Sequence, residues 1–371
     1  MKKLLFGTTA LVGAVAFTNA ASAQSVNVGG ALDLTISGYS EFEIEYADED
    51  LGFTDGSAAT SEPVDTDGDG QFDDVQETGG GDPREWFFNQ DHEVRFLAVG
   101  VGDATGITYG VDLQLENAGG EDAGFDEAFI FFSGNFGRVQ LGDEDGALST
   151  LTISAVNTQR GTAGLDGGYR AVPSAFLFDS GEATKATYFT PNVAGFQAGV
   201  SYAIDADDRG TDGGANQVGD VFEFGANWQG AFANFDLGAF GGLTYADASG
   251  SGGDSGTAWT IGGLVGFAGF DLAGAYGDET GTDGVSESNP FGDGARENFW
   301  QLGLGTEFAG VGVSVGYQRD TYAGGVGGAE PTTDTYVISA DTGILPGVSL
   351  QGDVAYVDTD QRSEEHTSEL Q

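Results

Sequence analysis

The sequence predicts an all-β fold, a transmembrane antiparallel up-and-down β-barrel, and three observations predict it. Apolar residues recur at every second position from Gly30 onward, the connections between these segments alternate between long and short, and aromatic residues mark two levels along them. A period of two gives each strand one apolar face and one wet face.

The elements follow in chain order. Lys2 and Lys3 precede the apolar stretch Leu4 to Phe17, and small residues then end in Ala21-Ser22-Ala23. This is the pattern of a secretory signal over residues 1–23, so the mature chain is expected to start at Gln24. A stretch of fourteen residues falls short of the roughly 20 that a helix needs to cross a bilayer. With no later candidate helix, a membrane-embedded chain must cross as strands.

The first strand sets Leu32, Leu34, Ile36, Phe42, Ile44 and Tyr46 on one parity against Asp33, Glu41, Glu43 and Glu45 on the other. The alternation returns in Tyr109 to Leu115, Phe196 to Tyr202, Phe222 to Trp228, Phe235 to Tyr245 and Trp259 to Phe267. It continues in Phe270 to Tyr276, Trp300 to Leu304, Val311 to Tyr317, Tyr336 to Ala340 and Val348 to Tyr356. Shorter candidates near Val94 to Val101, Ala128 to Phe132, Val139 to Leu141 and Ala186 to Thr190 bring the count to fifteen.

Long connections such as Ala47 to Pro83, Glu144 to Glu182, Asp205 to Gly219 and Gly277 to Glu297 take turns with short ones such as Gly134 to Phe136, Ala268 and Ala309 to Gly310. All the long loops therefore lie at one end of the sheet, as an outer-membrane barrel requires and a soluble sandwich does not. Tyr46, Tyr202, Tyr245, Tyr276, Tyr317 and Tyr356 each end a strand just below a long loop, while Phe196, Trp228, Phe232, Phe267, Phe270 and Phe308 flank short turns. These are expected to be the two interfacial girdles.

Bacterial barrels close with an even number of strands, so sixteen are expected and the last is missing. In its place stand residues 362–371, R-S-E-E-H-T-S-E-L-Q, which break with the Gly-rich alternation and look like an in-frame translation of a sequencing adapter. The barrel is accordingly assigned to residues 24–361. Sixteen strands enclose an aqueous channel rather than a side-chain core.

Composition narrows the function further. The chain carries 59 Asp plus Glu against 12 Lys plus Arg, a net charge of −47, which rules against nucleic acid as a partner because phosphate contacts need clustered cations. There is no cysteine and the only histidines are His92 and His366, so thiolate metal sites and Ser-His or Cys-His catalysis lack material and no enzyme is expected. His92 is expected to face the lumen or rim at the outer start of the second strand. Aromatics reach 12%, more than a disordered acidic chain carries. No phosphate loop or dinucleotide fingerprint appears.

The stretch Phe125 to Ala147, F-D-E-A-F-I-F-F-S-G-N-F-G-R-V-Q-L-G-D-E-D-G-A, resembles the general-diffusion porins of Gram-negative bacteria, above all the alphaproteobacterial type. Asp103 to Leu113, Ala186 to Ala203 and Leu345 to Leu350 are similar to them too. The resemblance implies an outer-membrane homotrimer in the lipid bilayer that passes ions and small hydrophilic solutes, with a third external loop folded into the lumen as a constriction. On this chain that loop is residues 144–182. Its acids are Glu144, Asp145, Asp166, Asp179 and Glu182, its bases Arg160 and Arg170, and Arg95 on the inward parity of the second strand is the wall residue expected to face them. Arg84 and Arg138 lie near strand ends. Nine cations between residues 24 and 361 depart from a strongly basic wall. A negative lumen should instead prefer cations.

Asp65-Thr-Asp67-Gly-Asp69-Gly-Gln71-Phe-Asp73-Asp-Val-Gln76 matches a calcium loop at positions 1, 3, 5, 6 and 9, with Gln71 offering a carbonyl at position 7. Gln76 stands where the bidentate Glu belongs and no helical pattern flanks the loop. Calcium on Asp65, Asp67, Asp69, Gln71 and Asp73 is thus the one cofactor expected, and the barrel requires none. Two alternatives share the composition: a solute-specific outer-membrane channel, and a secreted or surface calcium-stabilised β-solenoid. The second lacks the nonapeptide repeat such solenoids need.

Overall fold

The computed structural model describes residues 14–15, 26–28, 32–46, 60–64, 74–78, 86–118, 124–162, 164–166, 174–205, 219–247, 255–280, 296–323 and 331–360. Fifteen long strands follow one another: β1 Leu32–Tyr46, β2 Trp86–Val101, β3 Thr108–Ala118, β4 Gly124–Gly134, β5 Gly137–Asp143, β6 Thr184–Phe189, β7 Phe196–Asp205 and β8 Gly219–Phe232. They continue as β9 Phe235–Asp247, β10 Gly256–Phe267, β11 Phe270–Thr280, β12 Arg296–Phe308, β13 Val311–Tyr322, β14 Thr332–Leu345 and β15 Val348–Asp360. Each pairs antiparallel with the next, from Tyr46↔Trp86 to Thr332↔Asp360, in a single up-and-down sheet.

Among the described residues no register joins β15 to β1. Ala14–Val15 instead pairs with Val348 and Ser349 at the start of β15, and Val26–Val28 folds back on the start of β1. No helix among the described residues is long and apolar enough to cross a membrane.

The alternation of apolar residues has an outward destination. Ile36, Val200, Ile261, Leu302, Val315 and Ile338 are all exposed on the outer surface, an apolar belt suited to hydrocarbon. Above it the aromatic side chains touch across strands, in the contacts Tyr46–Trp86, Tyr202–Phe222–Tyr245, Trp259–Tyr276 and Trp300–Tyr317–Tyr336–Tyr356. At the short-turn end Phe235 stacks on Phe267 at 4.6 Å, with Phe232 and Phe308 exposed beside them. Three of the tight turns use the same pair: Ala194-Gly195, Ala268-Gly269 and Ala309-Gly310 all have positive φ at both residues. That backbone suits the twist of a two-residue hairpin, and glycine supplies half of it without strain.

Three expectations change. The second strand, expected near Val94, begins at Trp86, because Tyr46 and Phe42 find Trp86 and Gln90 across the register and extend the pairing upward. His92 consequently sits inside β2 on the parity of Val94 and Phe96, facing outward rather than toward the lumen or rim, with its Nδ1 2.8 Å from Ser40 Oγ. The long connection read over Ala47 to Pro83 also contains an antiparallel hairpin, Thr60–Val64 with Asp74–Thr78.

Candidate functional site

Among the described residues, the buried ones lie inside the sheet. The connection from β5 to β6 turns inward and carries α1, Ala147–Leu151, and two 3₁₀ turns, Ala155–Thr158 and Gly164–Asp166. Leu148, Leu151, Ile153 and Leu177 of this loop are packed with Phe189, Phe240, Ala258 and Phe299 of the wall. Further along, Ala155, Leu165 and Ala175 pack with Val337 and Ala355. Each fully buried aliphatic side chain here contributes about 1.5–3 kcal/mol, so the loop is docked on the wall.

An inward loop brings its backbone polar groups with it, and these need partners. The wet faces of the strands supply them. Ser201 Oγ accepts from Ala147 N at 2.6 Å, Gln301 Oε1 from Ala155 N at 2.9 Å, Ser314 Oγ from Arg160 N at 2.8 Å and Asp353 Oδ2 from Thr162 N at 2.7 Å. Asn227 Nδ2 donates to Leu151 O at 3.0 Å, and Glu223 accepts from Leu148 N at 3.2 Å and Ser180 N at 2.9 Å, one on each limb. Lys185 Nζ ties the two roots together by donating to Glu144 O and Gly181 O. The wall beneath is cut back to make room. A Cβ on Gly262 would lie 1.8 Å from Ile153 O, and one on Gly305 2.2 Å from Thr158 O.

The loop therefore covers the wall from β6 to β15 and leaves β1 to β4 facing it across the lumen. That open wall is acidic. Register places Tyr39 beside Glu93, Glu41 beside Asp91 and Glu43 beside Asn89, and Glu93 in turn beside Glu116, all on the face that carries Arg95 and the buried Asp112. Tyr39 donates to Asp91 at 2.5 Å and Asn89 to Glu43 at 2.9 Å. Arg95 does reach the lumen, but Asp112 holds it, with Nε 2.9 Å from Oδ1. It is half of an ion pair rather than a free positive wall. Arg138 also faces inward and lies over the Phe131 ring, 4.2 Å from its centroid.

The structure brings together only part of the expected constriction set. Glu144, Asp145 and Glu182 meet at the loop root, beside Asp126 and Glu127 of β4. Burial pushes the Glu144 carboxyl up to about 7, against the pull of its hydrogen bond with Glu127. Loss of solvent and a hydrogen bond with Asp126 hold Glu182 at about 8. Burial also raises Asp145, and raises Asp179 to about 7 with help from Glu223. Arg160 sits far from this root, over β13. Asp166 closes the second 3₁₀ turn. Arg170 lies outside the described residues, as do Asp65, Asp67, Asp69, Gln71 and Asp73, although the hairpin found above flanks that segment on both sides.

Two features escaped the sequence reading: the glycines that form the loop's bed, and Arg296, whose guanidinium is buried among Glu279, Asp320 and the loop. Inward glycines on β8 to β13 interrupt the polar parity and were the available signal for the first.

Comparison with known proteins agrees with this architecture. A form of the Rh. blastica porin carrying five substitutions superposes with a TM-score of 0.56 at 14% identity, covering 88% of this chain and 100% of that one. A triply substituted Rhodopseudomonas blastica porin gives 0.52 at 14% identity over the same shares. At this identity the likeness speaks for the fold. No curated protein sequence matches the chain. Family membership comes from the sequence itself, since the family model described as Gram-negative porin matches residues 7–362. The chain belongs to that family, the β-barrel channel proteins of the Gram-negative outer membrane.

Proposed function

We propose that the protein is a homotrimeric diffusion pore, without catalytic activity, that passes ions and small hydrophilic solutes and prefers cations. The observation that carries this reading is the division of the lumen. A docked loop covers one side, and the other side presents Glu41, Glu43, Asp91, Glu93 and Glu116 with Arg95 neutralised by Asp112. Carboxylates lining a narrow water-filled passage raise the local cation concentration and repel anions. Export by residues 1–23 and closure by a sixteenth strand, in place of residues 362–371, belong to the same proposal. The test uses the gene product resequenced at its 3′ end. In a planar bilayer under a KCl gradient it should give stepwise, roughly ohmic currents with a reversal potential on the potassium side. Equal permeation of potassium and chloride would sink the cation preference, and saturable flux of one solute would move the protein to the solute-specific class.

We further propose that the segment from Asp65 to Asp73 binds calcium. Its support is the ligand spacing together with the hairpin partners Val64↔Asp74, which bring the two ends of the segment side by side. Calorimetric titration should show calcium binding with a Kd of roughly 10⁻⁴–10⁻³ M, abolished by Asp67→Asn with Asp69→Asn. No heat from the unsubstituted protein refutes it.

A further inference from the structure

Arg296 opens β12 with its side chain wholly buried, and all five of its guanidinium hydrogens are used. Nε donates to Glu279 Oε1 at 3.0 Å, and Nη2 donates to the same oxygen at 2.6 Å. Nη1 reaches Asp320 Oδ1 at 3.3 Å. The remaining two leave the wall: Nη1 donates to Ser174 O at 2.7 Å and Nη2 to Phe176 O. Phe299 closes the site from below, its ring centroid 4.7 Å from the guanidinium carbon.

The loop residues so held are consecutive. Ser174 O also accepts from Gln318 Nε2 at 2.9 Å, and Ala175 O, between the two carbonyls bound by Arg296, accepts from Gln301 Nε2 at 2.6 Å. Three successive carbonyls of the returning limb thus hang from three wall side chains, and the arginine is the only cation among them. The planar fork matters here, because a lysine ammonium offers three donors and cannot span two carboxylates and two carbonyls. In a chain with 12 bases against 59 acids, a buried arginine turned toward backbone rather than toward the passage is a notable placement. If its task were only to neutralise Glu279 and Asp320, two of its hydrogens would not need the loop.

We propose that Arg296 is a positioning residue of the channel: it latches the returning limb of the inward loop to the wall and thereby sets the width of the constriction. This rests on the pore reading above, and the test separates the two. The absence of native cysteine permits a labelling assay that needs no current. Ala175→Cys, at a site 1% exposed, should react slowly with a membrane-impermeant maleimide in the full-length gene product in vesicles. Adding Arg296→Gln should speed labelling tenfold or more, and Arg296→Lys should fall between. In bilayers Arg296→Gln should turn steady openings into fluctuating ones of higher mean conductance. Where Arg296→Gln alone fails to fold, the charge-balanced variant carrying also Glu279→Gln and Asp320→Asn is used, and it should show the same fast labelling. Unchanged labelling in a folded variant overturns the latch. Fast labelling without any channel current from the unsubstituted protein would keep the latch and refute the pore.

Discussion

Gly262→Val is expected to push the inward loop off the wall and reduce the current through each pore. The argument is one of space. The backbone of β10 at Gly262 runs so close under the loop that even a first side-chain carbon would sit 1.8 Å from Ile153 O, an approach no relaxed contact permits. Valine suits a strand better than glycine does, so any loss cannot be assigned to strand propensity. Forcing extra atoms into a packed contact costs about 1–3 kcal/mol, and the loop can relieve it only by moving toward the passage. The comparison is Gly241→Val on β9, where the nearest atom to a new Cβ is Thr260 O at 4.0 Å. The measurement is unitary conductance together with thermal unfolding in detergent. Gly262→Val should lower both conductance and Tm while Gly241→Val leaves both in place; matching behaviour of the two variants would refute the close approach.

Much of this architecture was legible because strand parity is a local property. Leu32 to Tyr46 announces its two faces in its own residues, and the tyrosines before long loops announce the level of the membrane surface. The inward loop was legible through resemblance, since the stretch from Phe125 to Ala147 identifies which connection it is. The start of β2 was not, because Trp86, Gln90 and His92 do not alternate convincingly by themselves and are drawn into the sheet by their partners on β1. His92 followed that error to the wrong face. Arg95 was placed correctly but its charge was not, since Asp112 becomes its partner only through the β2–β3 register. Arg296 was unreadable for the same reason in stronger form, since it answers to carbonyls 120 and 122 residues away in the chain; Gly262 shows in the sequence only as a gap in the polar parity, and the loop that fills the gap returns from a different part of the sheet. Parity tells which side a residue faces, and only tertiary structure tells what it meets there.

The loop's polar economy also explains a composition that looks wasteful in sequence. The wall under the loop carries Ser201, Glu223, Asn227, Gln301, Ser314 and Asp353 to receive backbone groups, so these residues are unavailable to a permeating solute. On the proposed pore reading, selectivity falls to the open wall and to the loop root.

Cation preference should therefore depend on pH, and should strengthen as pH rises. The carboxyls of Glu144 and Asp179 are held up to about 7, chiefly by burial, and that of Glu182 to about 8 by loss of solvent and by Asp126. An acid with a raised value is neutral below it and charged above it. At pH 5.5 all three are protonated and withhold their charge from the root, whereas at pH 9 each adds a negative charge beside the passage. The groups facing them are mostly of this sign, because Asp126, Glu127, Asp145 and Glu223 are acids too, against the bases Lys185, Arg138 and Arg95. The potassium-to-chloride permeability ratio is expected to rise by roughly twofold or more between pH 5.5 and 9, with its midpoint between 7 and 8. Reversal potentials taken across that range measure it. The variant with Glu144→Gln, Asp179→Asn and Glu182→Gln should stay near the low-pH ratio across the range, since these three positions can no longer ionise. A variant that still follows the same curve would place the titration elsewhere, on the carboxylates of the open wall, and remove the loop root from the control of selectivity.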